Sequence, residues 1–118
     1  MAITLYGIRN CDTVKKARAF LDAAGVAYTF HDFKKAGLSA DVVERWLDEV
    51  PLERLVNRRG TTWRALSDAQ RDALSADTAP ALCAANPSLV KRPVVQWGPR
   101  TTVGFDADSW TAQLSERA

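Results

Sequence analysis

The hydrophobic period of this chain changes twice before residue 32, and that change limits the fold more than any other feature. Ile3-Thr4-Leu5-Tyr6 is a run of β-branched and aromatic residues closed by Gly7, the composition of a short strand. From Thr13 the spacing becomes helical: Val14, Ala17, Phe20, Leu21 and Ala24 fall on one face and Lys15, Lys16, Arg18 and Asp22 on the other, with Gly25 as a stop. Val26-Ala27-Tyr28-Thr29-Phe30-His31 then returns to strand composition. A strand, one helix and a second strand make a parallel β-α-β unit the economical topology. Cys11 stands after the first strand and before the helix, at the edge of an open α/β sheet where ligands bind.

The middle of the chain reads as helical. Ser39 is a candidate N-cap for a helix with Val42, Val43, Trp46, Leu47 and Val50 as its apolar stripe, ending before Pro51. Two further stretches follow, Leu66 to Ser75, begun near Ser67 with Asp68 in the first turn, and Ala79 to Ala85. Pro93-Val94-Val95-Gln96-Trp97 and Thr101-Thr102-Val103-Gly104-Phe105 flank Gly98-Pro99-Arg100 and read as a hairpin, after which a helix over about Ala107 to Leu114 closes the chain. The order is β-α-β, a helical insertion at about 38–86, then β-β-α. It predicts an α/β domain of thioredoxin-like type with a mixed four-stranded sheet. The 118 residues, with no Pro-, Gly- or Ser-rich linker, suit one domain over 1–118.

Charge excludes some partners. Sixteen basic and fourteen acidic side chains leave a net +2, and the pairs Lys15-Lys16, Lys34-Lys35 and Arg58-Arg59 are scattered, so no nucleic acid is expected as a direct ligand. The start of the sequence lacks a basic stretch followed by a long apolar core, and no apolar run approaches spanning length, so a cytoplasmic protein without membrane contact is the simplest expectation. Two cysteines far apart are not a disulfide framework, and the one histidine, His31, has no Cys or His at ligand spacing, so no metal site is expected.

The chemistry therefore falls on cysteine. A helix N-terminus leaves backbone N–H groups unpaired and carries about half a unit of positive charge, which favours a thiolate and brings a cysteine pKa from about 8.5 into the range of about 3.5–7.5. Cys11 is so placed, with Lys15 one turn along adding to the effect and Asp12 opposing it. An inert buried cysteine keeps apolar company, and Arg9, Asn10, Asp12 and Thr13 around Cys11 are polar. Cys83, in Ala81-Leu82-Cys83-Ala84-Ala85, does keep apolar company and reads as a small core residue. Phe20, Leu21, Trp46, Leu47 and Trp63 read as core rather than as a stacking platform.

Several segments carry a resemblance. Tyr6-Gly7-Ile8-Arg9-Asn10-Cys11-Asp12-Thr13, Lys15-Lys16-Ala17 and Asn86-Pro87-Ser88-Leu89-Val90-Lys91-Arg92-Pro93-Val94-Val95 are similar to the ArsC family. That family includes glutaredoxin-coupled arsenate reductases, Spx transcriptional regulators and the YffB proteins. Leu55-Val56-Asn57-Arg58-Arg59-Gly60-Thr61-Thr62-Trp63 and Val103-Gly104-Phe105 make the chain look most like the YffB group. The resemblance implies Cys11 as the redox-active residue and a cis bond before Pro93, which would turn the backbone at Arg92 toward the thiol, where it could pair with an extended peptide such as glutathione.

Arsenate reductases hold the oxyanion with three arginines. Arg92 matches one by its place before the proline; Asn57, followed by Arg58 and Arg59, and Gly104 stand where the other two are expected. Losing two charge-assisted contacts of about 1.5–3 kcal/mol each would weaken arsenate binding. Spx proteins carry a C-x-x-C switch in this loop, where this chain has Val14 as the second member. The expected activity is thus a glutathione-dependent thiol-disulfide reductase with one nucleophile, Cys11, and Asn10, Thr13, Lys15, Arg58, Arg92 and Pro93 binding substrate. No cofactor is expected; glutathione is the co-substrate and glutaredoxin a candidate partner. The alternatives are an arsenate reductase and an Spx-like protein that binds RNA polymerase.

Overall fold

The computed structural model describes residues 2–117. The elements run β1 (Ile3–Gly7), α1 (Asp12–Ala23), β2 (Thr29–Asp32), α2 (Phe33–Ala36), α3 (Ala40–Leu47), α4 (Leu52–Leu55), α5 (Thr61–Ala65), α6 (Asp68–Asp72), α7 (Ala79–Ala85), a 3-10 turn (Pro87–Leu89), β3 (Val94–Trp97), β4 (Thr101–Val103) and α8 (Ala107–Arg117). They form two compact units: the segments up to Asp32 and from Arg92, and the intervening Phe33–Lys91.

The first unit holds one mixed four-stranded sheet in the order β2-β1-β3-β4, with β1 parallel to β2 and antiparallel to β3, and β3 antiparallel to β4. Leu5 pairs with Val95 and Ile3 with Trp97. These four side chains share one face, where Val14, Ala17 and Leu21 of α1 and Trp110 of α8 pack on them. Burying a side chain of this size stabilises the fold by about 1.5–3 kcal/mol. Trp110 meets Trp97, Phe105 and Phe20 edge-on at 5.0, 4.8 and 5.9 Å between ring centroids.

β2 begins at Thr29 rather than at Val26 as the composition suggests. The cause lies in the end of α1. Gly25, at φ +70°, donates its N–H to Asp22 O, and Val26 donates to Leu21 O at 3.1 Å. This closes the helix and removes the Val26 N–H from any ladder. Val26 and Tyr28 pack on the core from outside the sheet. β4 likewise stops at Val103, two residues early, because Gly104 turns the chain at φ +86° and donates to Pro93 O at 2.8 Å. Phe105 is thereby directed onto the core. α8 runs past the expected Leu114; Asp106 caps it, accepting from the Asp108 N–H and the Ser109 hydroxyl.

The second unit is helical. Ser39 caps α3 by accepting from Val42 N, and α3 packs on α7 with Val43, Trp46, Ala79 and Cys83 buried. Val56 bridges Val90, flanked by Asn57 N–H to Leu89 O and Lys91 N–H to Leu55 O. The helix expected over 66–75 is shorter: the Ser67–Gln70 capping box starts α6, but after Asp72 the Thr78 hydroxyl donates to Ala73 O and accepts from Ser75 N, a turn in place of further helix. The Arg71 guanidinium donates to the carbonyls of Trp63, Arg64 and Leu66 and pairs with Asp68, so it closes the end of α5.

Candidate thiol site

The site begins where β1 runs into α1. Gly7 and Ile8 are buried, and Arg9 and Asn10 make an exposed turn. Cys11 then takes the N-cap position of α1 with extended backbone angles (φ −113°, ψ 126°). Its side chain makes no capping hydrogen bond, while its carbonyl accepts the first helical bond from Lys15 N–H at 2.9 Å. The thiol is half-buried, resting against the core that Leu5 and Val14 share. Asp12, Thr13 and Lys15 are exposed in the first turn.

Register brings a second segment to this edge. Tyr6 pairs with Val94 in the antiparallel β1–β3 ladder, so the end of β1 lies beside the start of β3. Arg92 and Pro93 precede Val94 directly and therefore lie at the sheet edge from which the Cys11 loop departs. The Arg92–Pro93 peptide is cis, Pro93 is buried and Arg92 half-buried. Five of the residues singled out in the sequence thus share one edge with Cys11: Asn10, Thr13, Lys15, Arg92 and Pro93.

Arg58 belongs to the helical unit. There its guanidinium lies over the Trp63 ring, 5.5 Å from the centroid. Asn57 accepts from Arg59 N–H at 3.1 Å through its side chain, shaping the turn that carries both arginines. Trp63 is only half-buried and serves as the platform for Arg58 rather than as core. Cys83 is fully buried, and burial pushes its thiol up from 9.0 to about 11.

One contact is invisible in the sequence. A Cβ placed on Gly7 would lie 2.8 Å from Val14 Cγ2 and 3.4 Å from Cγ1. Gly7 reads as a strand stop and Val14 as one member of a helical stripe; only the tertiary approach of α1 to the end of β1 joins them. Among the described residues no cluster of His, Cys, Asp and Glu could hold a metal, and no helix is long and apolar enough to cross a membrane.

A β-α-β and β-β-α sheet that presents a half-buried cysteine at the head of its first helix, beside a cis-proline, defines a thioredoxin-like thiol protein. Within that class the chain belongs to the ArsC family, whose model matches residues 6–113. Its fold matches that of a YFFB protein at TM-score 0.93 with 46% identity, over 96% of this chain and 99% of that one. An arsenate reductase (ArsC) related protein from Brucella melitensis is 48% identical with TM-score 0.73, over 95% of this chain and 93% of the other. The global transcriptional regulator Spx of Streptococcus mutans is 31% identical, over 95% of this chain and 82% of its own length.

Proposed function

We propose that this protein is a glutathione-dependent thiol-disulfide reductase that uses Cys11 as its single nucleophile. The observation that carries the reading is the contrast in access: Cys11 is half-exposed at a helix head and Cys83 is sealed. In the first step the Cys11 thiolate attacks the glutathione sulfur of a mixed disulfide, that S–S bond breaks, and the substrate leaves as a thiolate. In the second step a glutathione thiolate attacks the Cys11–glutathione disulfide, releasing Cys11 and forming oxidised glutathione. In net, the mixed disulfide and one glutathione thiol become the substrate thiol and oxidised glutathione, and Cys11 returns to its starting state.

The other residues have roles that follow from their charge and place. Lys15 and Arg92, at the sheet edge of the thiol, attract the carboxylates of glutathione, and Arg58 of the helical unit is a further candidate by its charge alone. Asn10 and Thr13 offer polar side chains beside the sulfur, and the backbone at Arg92-Pro93 pairs with the peptide. Glutaredoxin is a candidate for releasing the adduct.

Two relatives' descriptions favour other readings. Reduction of arsenate has the Brucella relative in its favour, but Arg92 is the one arginine of the expected three at its position, and exposed Asp12 repels an oxyanion. An Spx-like role in binding RNA polymerase has the Streptococcus relative in its favour. Buried Val14, in place of a second cysteine, leaves the loop without a dithiol switch.

Intact-mass spectrometry of the reduced protein after oxidised glutathione, with peptide mapping, tests the proposal. The expected result is one glutathione on Cys11, removed by reduced glutathione or glutaredoxin and lost altogether in Cys11→Ser. No adduct, with retention of RNA polymerase in a pull-down, would replace the reductase with the regulator.

A further inference from the structure

We infer that Gly7 and Val14 form a steric seat that fixes the position of Cys11, which makes Gly7 a positioning residue for the thiol–disulfide step; the inference rests on the reductase reading above. Gly7 is the last residue of β1 and its φ lies outside the left-handed region, so its backbone conformation is open to any residue. What it lacks is room. An added Cβ would meet Val14 Cγ2 at 2.8 Å, where ordinary contact starts at 3.4 Å, so a neighbour must move by several tenths of an ångström.

Which neighbour yields follows from the surroundings. The end of β1 is held on both sides, with Gly7 paired to Asp32 on β2 and Tyr6 to Val94 on β3. Val14 has no exposure and packs with Leu5, Ala17 and Leu21, and a helical valine has one strongly preferred rotamer. It cannot swing aside. The first turn of α1 must therefore lift, and Cys11 lifts with it, because the Lys15 N–H to Cys11 O bond ties the N-cap to that turn. Val14 stands at the third position after the nucleophile, and in this chain that position holds the nucleophile in place instead of carrying a second thiol.

Two readouts on Gly7→Ala, Val14→Ala and the double variant test this at a temperature where each is folded by circular dichroism. The first is the rate of glutathione uptake at Cys11; a displacement of under an ångström is expected to slow it about tenfold to a hundredfold in Gly7→Ala. The second is hydrogen exchange of the Lys15 amide, which reads the first turn without any chemistry at sulfur and is expected to speed up in parallel. In the double variant the methyl added at position 7 occupies the room that the valine methyls vacate, so both readouts should return to within about threefold of the parent, a coupling that independent sites do not show. A purely structural role would lower the melting temperature and leave both readouts unmoved in the folded variants. Gly7→Ala behaving as the parent, or a double variant no better than the worse single one, overturns the seat. A parent protein that never accepts glutathione, with the Lys15 pattern as expected, overturns the reductase reading and leaves the seat standing. Should Gly7→Ala fail to fold, recovery of folding and uptake in the double variant supports the seat, and failure of both overturns it.

Discussion

Cys11 and Cys83 carry the same side chain in opposite surroundings. Cys11 takes the N-cap position of a helix with extended backbone angles, between an exposed polar turn and the edge of a hydrophobic core. Cys83 sits mid-helix on the buried face of α7, alongside Ala79 and Pro80, where desolvation pushes its thiol up to about 11. A thiol must be accessible and ionisable to exchange disulfides. The contrast teaches that cysteine chemistry is set by the element that carries the residue: the first turn of a helix at a sheet edge leaves sulfur in reach of solvent, and the inner face of a packed helix removes it.

The contrast can be broken or sharpened by measurement, beginning with the largest effect. Under native conditions Cys83 should alkylate at least about a thousandfold more slowly than in urea, since reagent reaches it only through opening of the helical unit. Mass spectrometry of the Cys83 peptide over time checks this, and rapid native labelling would erase the difference between the two thiols. A smaller effect appears in alkaline stability. The unfolded thiol ionises near 9 and the folded one near 11, so below pH 9 both states keep the proton and the contribution is level. As pH rises from 9 to 11 the unfolded state alone loses it, and stability falls with a slope of about 1.4 kcal/mol for each step of one in pH, about 2–3 kcal/mol in all. Denaturant titrations of the parent minus Cys83→Ala should show this slope, and equal slopes would place Cys83 in contact with water. Smallest is Cys83→Ser, expected to cost about 1–3 kcal/mol because a hydroxyl replaces sulfur in an apolar site. A loss no larger than for a surface serine would argue for a polar partner there.

The parts of the fold legible in the sequence are those long enough to show a period. The stripe Val14, Ala17, Leu21 and the alternation Ile3, Leu5 are readable, and both fill the core face. Ser39 and Ser67 announce their helices because a hydroxyl before a helical run has a direct hydrogen-bonding use. Phe33–Ala36, Leu52–Leu55 and Thr61–Ala65 escape a sequence reading, since one turn shows no periodicity and is held by tertiary packing. The start of β2 and the end of β4 differ from expectation because glycines at 25 and 104 redirect the backbone, and a glycine's sign of φ is not written in the sequence. In the site, Cys11, Lys15 and Arg92-Pro93 stand out by composition and motif. The spacing of Gly7 against Val14 does not, because it arises from how closely the helix approaches the strand.

The sheet order β2-β1-β3-β4 sets the order in which the site can be built on the ribosome. β1 is an inner strand, yet its second neighbour, β3, is translated only after the whole of Phe33–Lys91. The helical unit is contiguous in sequence and can close as soon as it emerges. The cysteine loop cannot: until Val94–Trp97 is made, β1 has an open edge and Cys11 has no Arg92-Pro93 beside it. The thiol is synthesised before its surroundings, with all of Phe33–Lys91 in between, so a chain cut short anywhere before β3 carries the nucleophile without the site.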